Sequence, residues 1–263
     1  MKDFTFNVPQ DIIFGKGSLK RLPELLEKSG SKKMLLISGP VLKKIGMVEK
    51  VEEIVKASGI EVEVFTDVEA NPSVATVDKA TEAYKKAGAT SIVAFGGGSP
   101  MDVAKAVGVL AKYGGEIGDY EGAHKVPGPI VPIIAIPTTA GTGSEVTAFS
   151  VITDEARNYK LTVFSYELIS SYALLDPELV MTSPASVAAA CGVDALIHAW
   201  EAYTSRDASP FSDAMAEKAM ELIGANLRRF VANRQDEEAA ACSPEACLQV
   251  SHLHGQDLEI SML

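Results

Sequence analysis

From residue 34 to residue 136, short apolar runs alternate with amphipathic stretches of helical length, and few folds accommodate that pattern. Met34-Leu-Leu-Ile37 reads as a strand that ends at Ser38-Gly39-Pro40. Residues 41–57 have helical periodicity and stop at Ser58-Gly59. Residues 62–65 read as a second strand. Residues 74–87 form a helix, entered through Asn71-Pro72-Ser73 and stopped by Gly88. A third strand (91–95), a helix (101–113) and a fourth strand (130–136) follow. Strand, helix, strand at this spacing requires right-handed crossovers, so the expected fold class is α/β with a parallel sheet.

The character changes near Asp176-Pro177. Residues 185–205 and 211–231 are long, Ala-rich and helical, with Ser183 expected as the N-cap of the first and Pro184 as its first helical residue. The expected division is 1–180 for the α/β domain, 181–239 for the start of an all-helical domain, and 240–263 for a tail with no clear helical period. Two helices are too few to bury their own apolar faces.

A formal net charge of -11 repels phosphate backbones, which argues against a nucleic-acid partner. The start, Met1-Lys-Asp-Phe-Thr-Phe-Asn7, lacks the apolar run of a signal peptide, and no apolar stretch is long enough to span a bilayer. Three cysteines, two of them (Cys242 and Cys247) in the tail, make no disulfide framework. The expected compartment is therefore the reducing cytoplasm.

Three motifs carry chemistry. Gly96-Gly-Gly-Ser-Pro-Met-Asp102 follows a strand and opens a helix. Its glycines let backbone approach a phosphate, and the helix terminus offers N–H donors and partial positive charge. A plain strand-to-helix turn would not need three consecutive glycines. Pro137-Thr-Thr-Ala-Gly-Thr-Gly-Ser-Glu145 follows the fourth strand with hydroxyls suited to a pyrophosphate or ribose. Alone it reads equally well as a solvated loop; paired with the first loop it argues for one ligand across the strand ends. Asp194 and His198 stand four residues apart, on one helix face, and their donor types suit a divalent Fe, Zn or Mn ion. By spacing alone they read better as a surface carboxylate and a core imidazole.

These motifs occur in order with Pro9-x-x-Ile-x-Phe-Gly-x-Gly17, and the set resembles the iron-containing (group III) alcohol dehydrogenases, in the branch with lactaldehyde reductase and butanol dehydrogenase. The resemblance covers roughly residues 3 to 238. It implies a dehydroquinate synthase-like architecture: a nucleotide-binding α/β domain followed by an all-helical metal-binding domain, incomplete here. It also implies NAD(P)-linked interconversion of a small alcohol and its aldehyde, and a homo-oligomer in full-length relatives. Carried over residue by residue, Asn71, Gly97, Gly98, Ser99, Thr138, Thr139, Thr147, Val151 and Lys160 would line the dinucleotide site. Asp194 and His198 would be two ligands to Fe2+ or Zn2+. NADP is favoured over NAD, because Gly39 stands where many relatives carry an Asp that repels a 2′-phosphate, with Lys43 and Lys44 one turn on. Two rival readings are a non-catalytic nucleotide-binding fragment and a lyase similar to dehydroquinate synthase; the Pro137–Glu145 loop argues against the lyase.

The family's two further metal histidines are not matched, and the family pattern stops near Ala239. His252 and His254 are poor substitutes, because i,i+2 spacing does not share a helix face. Rereading Leu248–Leu263 one frame over is compatible with a family-like stretch whose His codon straddles Ser261 and Met262. The chain is therefore expected to be a frameshifted, truncated product with little activity of its own.

Overall fold

Strands that are apolar at every position belong in a sheet covered on both faces. A computed structural model, which describes residues 9–206 and 208–242, places them in one. The elements run β1 (Asp11–Phe14), α1 (Leu22–Lys28), β2 (Lys33–Ser38), α2 (Pro40–Lys44), α3 (Met47–Lys56), β3 (Glu61–Phe65), α4 (Val74–Ala87), β4 (Ser91–Gly96), α5 (Gly98–Tyr113), β5 (Gly122–Ala123), β6 (Ile133–Pro137), β7 (Phe149–Asp154), β8 (Tyr159–Phe164), β9 (Tyr172–Leu175), α6 (Pro177–Val180), α7 (Ala185–Thr204) and α8 (Pro210–Ala232). Six strands form a wholly parallel sheet in the order β1-β9-β6-β4-β2-β3.

The period of two along each strand splits the sheet's side chains between two cores. Leu35, Ile37, Ile92, Ala94 and Ala135 pack with Val77 of α4 and Val103 and Val107 of α5. Met34, Leu36, Val93, Phe95 and Ile136 face the other way, against Leu25 of α1 and Val51 and Val55 of α3. From β2 the chain moves outward to β3, then returns to place β4 on the other side of β2. Adjacent crossovers therefore leave in opposite directions at β2 and β4, and their carboxyl ends flank a crevice, the usual ligand position in an open parallel sheet.

Several expectations need correction. The helix read over 41–57 is two helices. Gly46 adopts φ 77°, and its N–H closes on the Lys43 carbonyl, which ends α2 before α3 begins. Ser183 does not cap α7: its hydroxyl donates to the Val180 carbonyl, and Pro184, with ψ 153°, is the residue at the N-cap. The fourth strand starts at Ile133, after Pro132, and α5 starts three residues early, at Gly98. The antiparallel pair β7–β8 joins β5 in a second, three-stranded sheet that was not anticipated. Ile152, Leu161 and Val163 point from it into the α5 side of the core, while Val151, Thr153 and Thr162 are half-buried on its other face.

After α6 the chain leaves the sheet. Helices α7 and α8 pack through Ala195, Ala199, Ala219, Ile223 and Phe230, with Ala239 and Ala240 of the helical turn at 237–242 closing the same core. On α7 another stripe, Val193, Ile197 and Trp200, is exposed, Trp200 by 59%. Among the described residues no helix is long and apolar enough to cross a membrane. His252, His254 and the segment reread in a shifted frame lie outside the described residues.

Candidate functional site

The site begins where β4 ends. Gly96 adopts φ 150° and Gly97 is the N-cap of α5, so Gly98, Ser99 and Pro100 form the first turn of a 16-residue helix. Its first-turn N–H groups have no partner within the helix and point out of the strand end, the arrangement that binds phosphate.

The second loop lies directly against the first. In the β4–β6 register Gly96 sits opposite Pro137, and the Thr138 N–H donates to the Gly96 carbonyl at 2.8 Å. A Cβ on Gly97 would lie 3.2 Å from Thr139 Oγ1, and one on Gly98 would lie 3.1 Å from Thr142 Oγ1. The glycines are thus required twice: for access to a ligand and for room beside the threonine hydroxyls. Gly39, the N-cap of α2, closes the neighbouring strand end, and Lys43 and Lys44 are exposed in the last turn of that short helix.

Three more of the expected dinucleotide residues come together on the β7–β8 face. Lys160 Nζ donates to Asn71 Oδ1 at 3.0 Å, and Asn71 itself adopts φ 53°. Thr153, paired with Lys160 across the strands, holds that turn by donating its N–H to the Pro72 carbonyl and its hydroxyl to the Asn71 carbonyl. Val151 lies on the same face as Thr153, and Thr147 precedes the strand.

Sequence reasoning missed the group that connects these parts. Lys105, in the second turn of α5, is fully buried. Its ammonium donates to the Phe149 carbonyl at 2.7 Å, the Thr147 carbonyl at 2.8 Å, and Ser144 Oγ and Thr147 Oγ1 at 3.3 Å each. Ser144 Oγ in turn donates to Asp102 Oδ1 at 2.7 Å. One cation thereby ties the helix of the first glycine loop to the second loop and to β7. Burial pushes the Lys105 pKa down to about 8, against the pull of Asp102 and Glu145. Burial also pushes Asp102 up to about 6 and Glu145 up to about 7, each partly offset by Lys105. The sequence does hold a signal, an Asp and a Lys three apart within the apolar stretch of a helix, but the residue type assigns lysines to solvent.

Another carboxylate organises the far strand ends. Buried Asp176 accepts from the Gly17 N–H and the Glu178 N–H through Oδ1, and from the Leu19 N–H through Oδ2, each at 3.1 Å. It joins the glycine turn after β1 to the start of α6.

Helix α7 brings the pair expected to bind metal to the same neighbourhood. Cys191, Asp194 and His198 share one face of it. Cys191 is hydrogen-bonded to Thr139, and a Cβ on Gly141 would stand 2.8 Å from the Cys191 backbone. Asp194 Oδ1 and His198 Nε2 are 3.9 Å apart. Carboxylate and imidazole each bind a divalent ion at about 2.0–2.2 Å, so the pair can bracket one ion. Among the described residues no third His, Cys, Asp or Glu joins them. These two donors suit part of a divalent-metal site.

Comparison with known proteins gives the family. Residues 9–177 match the family model described as iron-containing alcohol dehydrogenase, and residues 188–249 match that of the family's C-terminal part. The chain is 40% identical to the NAD-dependent methanol dehydrogenase of Bacillus methanolicus over 89% of its own length and 61% of that protein's. It is 42% identical to alcohol dehydrogenase 4 of Schizosaccharomyces pombe over 89% of its length and 56% of that protein's. It thus spans about three-fifths of the curated relatives it matches. The fold superposes with a TM-score of 0.91 on the sulfoacetaldehyde reductase of Bifidobacterium kashiwanohense solved in complex with NAD+, at 33% identity, covering 96% of this chain and 67% of that one. The paired glycine and threonine loops, the helix carrying Asp194 and His198, and these matches over nearly the whole chain show that it belongs to the iron-containing alcohol dehydrogenase family.

Proposed function

We propose that the chain is the nucleotide-binding part, with the first metal-bearing helices, of an NAD(P)-linked, divalent-metal-dependent reductase of small aldehydes. The two units meet near Val180. The observation that carries this reading is the approach of the Gly97–Gly98 turn to Thr139 and Thr142 over the open end of α5, at the ends of β4 and β6 beside the crevice between β2 and β4. In it Gly97, Gly98 and Ser99 take the pyrophosphate, Thr138 and Thr139 supply hydroxyls, and Asn71, Thr147, Val151 and Lys160 bound the remainder of the dinucleotide. The relatives' names, a methanol dehydrogenase and an alcohol dehydrogenase among them, support a small alcohol or aldehyde as substrate.

Asp194 and His198 would hold Fe2+ or Zn2+, which when bound supplies Lewis-acid polarisation of the substrate oxygen. The protein's part is to hold the carbinol carbon and the nicotinamide C4 in register for hydride transfer. Two donors alone would hold a catalytic metal weakly, so the nucleotide site is tested apart from turnover. NADP is the favoured cofactor. Gly39 ends β2 without a carboxylate, and the adjacent Lys43 and Lys44 offer charge to a 2′-phosphate.

The test is a titration of the purified chain with NADPH and with NADH, for the native sequence and for Gly98→Val, which would drive a side chain into Thr142. We expect saturable binding, tighter for NADPH, and lost in the variant. Absence of binding by folded protein would overturn the nucleotide site, and tighter binding of NADH would overturn the NADP preference. Brisk reduction of short aldehydes with saturating Fe2+ or Zn2+ would show that another group completes the metal site.

A further inference from the structure

Helix α7 reaches the nucleotide loops by a contact with no slack. At Gly141 an ideal Cβ would fall 2.7 Å from the Cys191 Cβ, 2.8 Å from its Cα and 2.8 Å from its carbonyl oxygen. Backbone lies on backbone here, so the distance from α7 to the loop is set by the placement of the whole helix, not by a side chain that can turn aside. Asp194 and His198 lie on the same face, one and two turns further on. Whatever fixes the start of α7 therefore fixes where that pair sits over the dinucleotide loops.

The chain enters α7 through residues 181–184, and one side chain ties that connection to the end of α8. Arg234 lies just beyond α8. Its Nη2 donates to the Val180 carbonyl at 2.7 Å and to Ser183 Oγ at 2.9 Å, and its Nε donates to the Ser183 carbonyl at 3.0 Å. Nη1 reaches the Phe230 carbonyl at 3.3 Å, and the guanidinium stacks 3.4 Å above the Phe230 ring. Phe230, Val180, Ser183, Thr139, Ala188 and Cys191 line one small cavity beneath this arrangement. The guanidinium thus caps the last carbonyl of α6, braces the linker and seats on α8 at once. A planar fork can make these contacts together; a lysine ammonium cannot.

We infer that Arg234 is a positioning residue, which locks the start of α7 so that the helix bearing Asp194 and His198 stays at contact distance from the Gly141 loop. The inference rests on the proposed nucleotide site but is tested apart from it. Cys191 lies half-buried in the contact and reports its opening, because the thiol reacts faster as the more open state is populated.

The experiment uses the full chain with Cys242→Ser and Cys247→Ser, leaving Cys191 as the single thiol, and measures its alkylation rate beside NADPH affinity and far-ultraviolet circular dichroism. Gly141→Ala, which forces the contact apart directly, sets the open reference. Arg234→Ala should speed alkylation about tenfold or more, toward the Gly141→Ala value, and Arg234→Lys should rescue little of the protection. NADPH affinity should change less than about twofold, because the glycine loops do not touch Arg234. An unchanged alkylation rate would overturn the inference, as would full rescue by lysine, which would mean that charge alone suffices. Loss of NADPH binding and of helical signal in step with faster alkylation would overturn it too, since the residue would then hold the fold and not the helix position. If neither the parent nor any variant binds NADPH while the alkylation pattern holds, the proposed nucleotide site fails and the clamp stands.

Discussion

The parallel sheet and the α7–α8 pair solve the same problem with different completeness. In the sheet the apolar runs of β2, β4 and β6 are covered on both sides, and Lys105, the charge buried between its loops, has four acceptors. In the helical pair one face of α7 is packed on α8 while Val193, Ile197 and Trp200 stay exposed. The contrast teaches where each part gets its definition. The sheet is held by register and by a buried polar brace. The pair is held by small residues at close approach and by what lies against the remaining face.

The largest expected effect tests the brace. Lys105→Met leaves Asp102 and Glu145 buried without their cation and frees the Thr147 and Phe149 carbonyls. Removing one partner of a buried charged cluster costs about 3–5 kcal/mol. Denaturant unfolding should show a loss of that order, and NADPH binding should fall with it. A loss below about 1 kcal/mol would mean that the loops hold their places without the lysine, and the contrast with the helical pair would dissolve.

The same cluster predicts a pH dependence. Burial raises Glu145 from 4.5 to about 7 in the folded chain. Between those values the folded state binds a proton that the unfolded state has released, so this group's contribution is fully present below about 4.5 and is lost as pH climbs through about 7. The raised Asp102 pKa acts in the same direction over 3.8 to about 6. Glu145→Gln should flatten the decline between pH 5 and 7 by roughly 2 kcal/mol, an order of magnitude from the shift itself. Melting curves at the two pH values measure it; equal slopes in parent and variant would place the titration elsewhere.

For the helical pair the matching test is Gly192. Its ideal Cβ falls 2.2 Å from Leu227 Cδ1, but the obstacle is the end of a side chain that can rotate. Overpacking of this kind costs about 1–3 kcal/mol. Gly192→Ala should sit at the low end of that range, with NADPH binding intact, and Leu227→Val in the same chain should recover part of it. A cost as large as that of Lys105→Met would show that the pair is as tightly specified as the sheet.

These differences mark what could be read from the residues alone. Strands β2, β4 and β6, helix α4 between Ser73 and Gly88, and both glycine-rich loops were legible, because burial on two faces and capping leave local signatures. The hairpin β7–β8 was not: its alternation of buried and half-buried positions is short and its turn, at Asn158 with φ 47°, carries no glycine. Strands β1 and β9 are four residues each, too short to stand out, and they pair with each other across most of the chain. The break at Gly46 was readable in principle; continuous periodicity on both sides hid it. Asp194 and His198 were legible as a pair and in fact stand 3.9 Å apart. The partners of Lys105 and Arg234 were not legible, because each network joins segments that meet only in three dimensions.

The smallest expected effect concerns the uncovered face. Ile197 and Trp200 are 49% and 59% exposed, so replacing them with glutamate removes little packing within this chain. Surface substitutions of that kind usually change stability by less than about 0.5 kcal/mol. An exposed apolar stripe promotes association, and two added carboxylates remove the stripe and add repulsion. Ile197→Glu with Trp200→Glu should therefore leave the melting temperature nearly unchanged and sharpen the monomer peak on a sizing column. A large drop in melting temperature would mean that another segment or a second copy of the chain packs there. The α7–α8 pair would then be covered on both faces, as the sheet is, and the contrast between them would reduce to the buried charge.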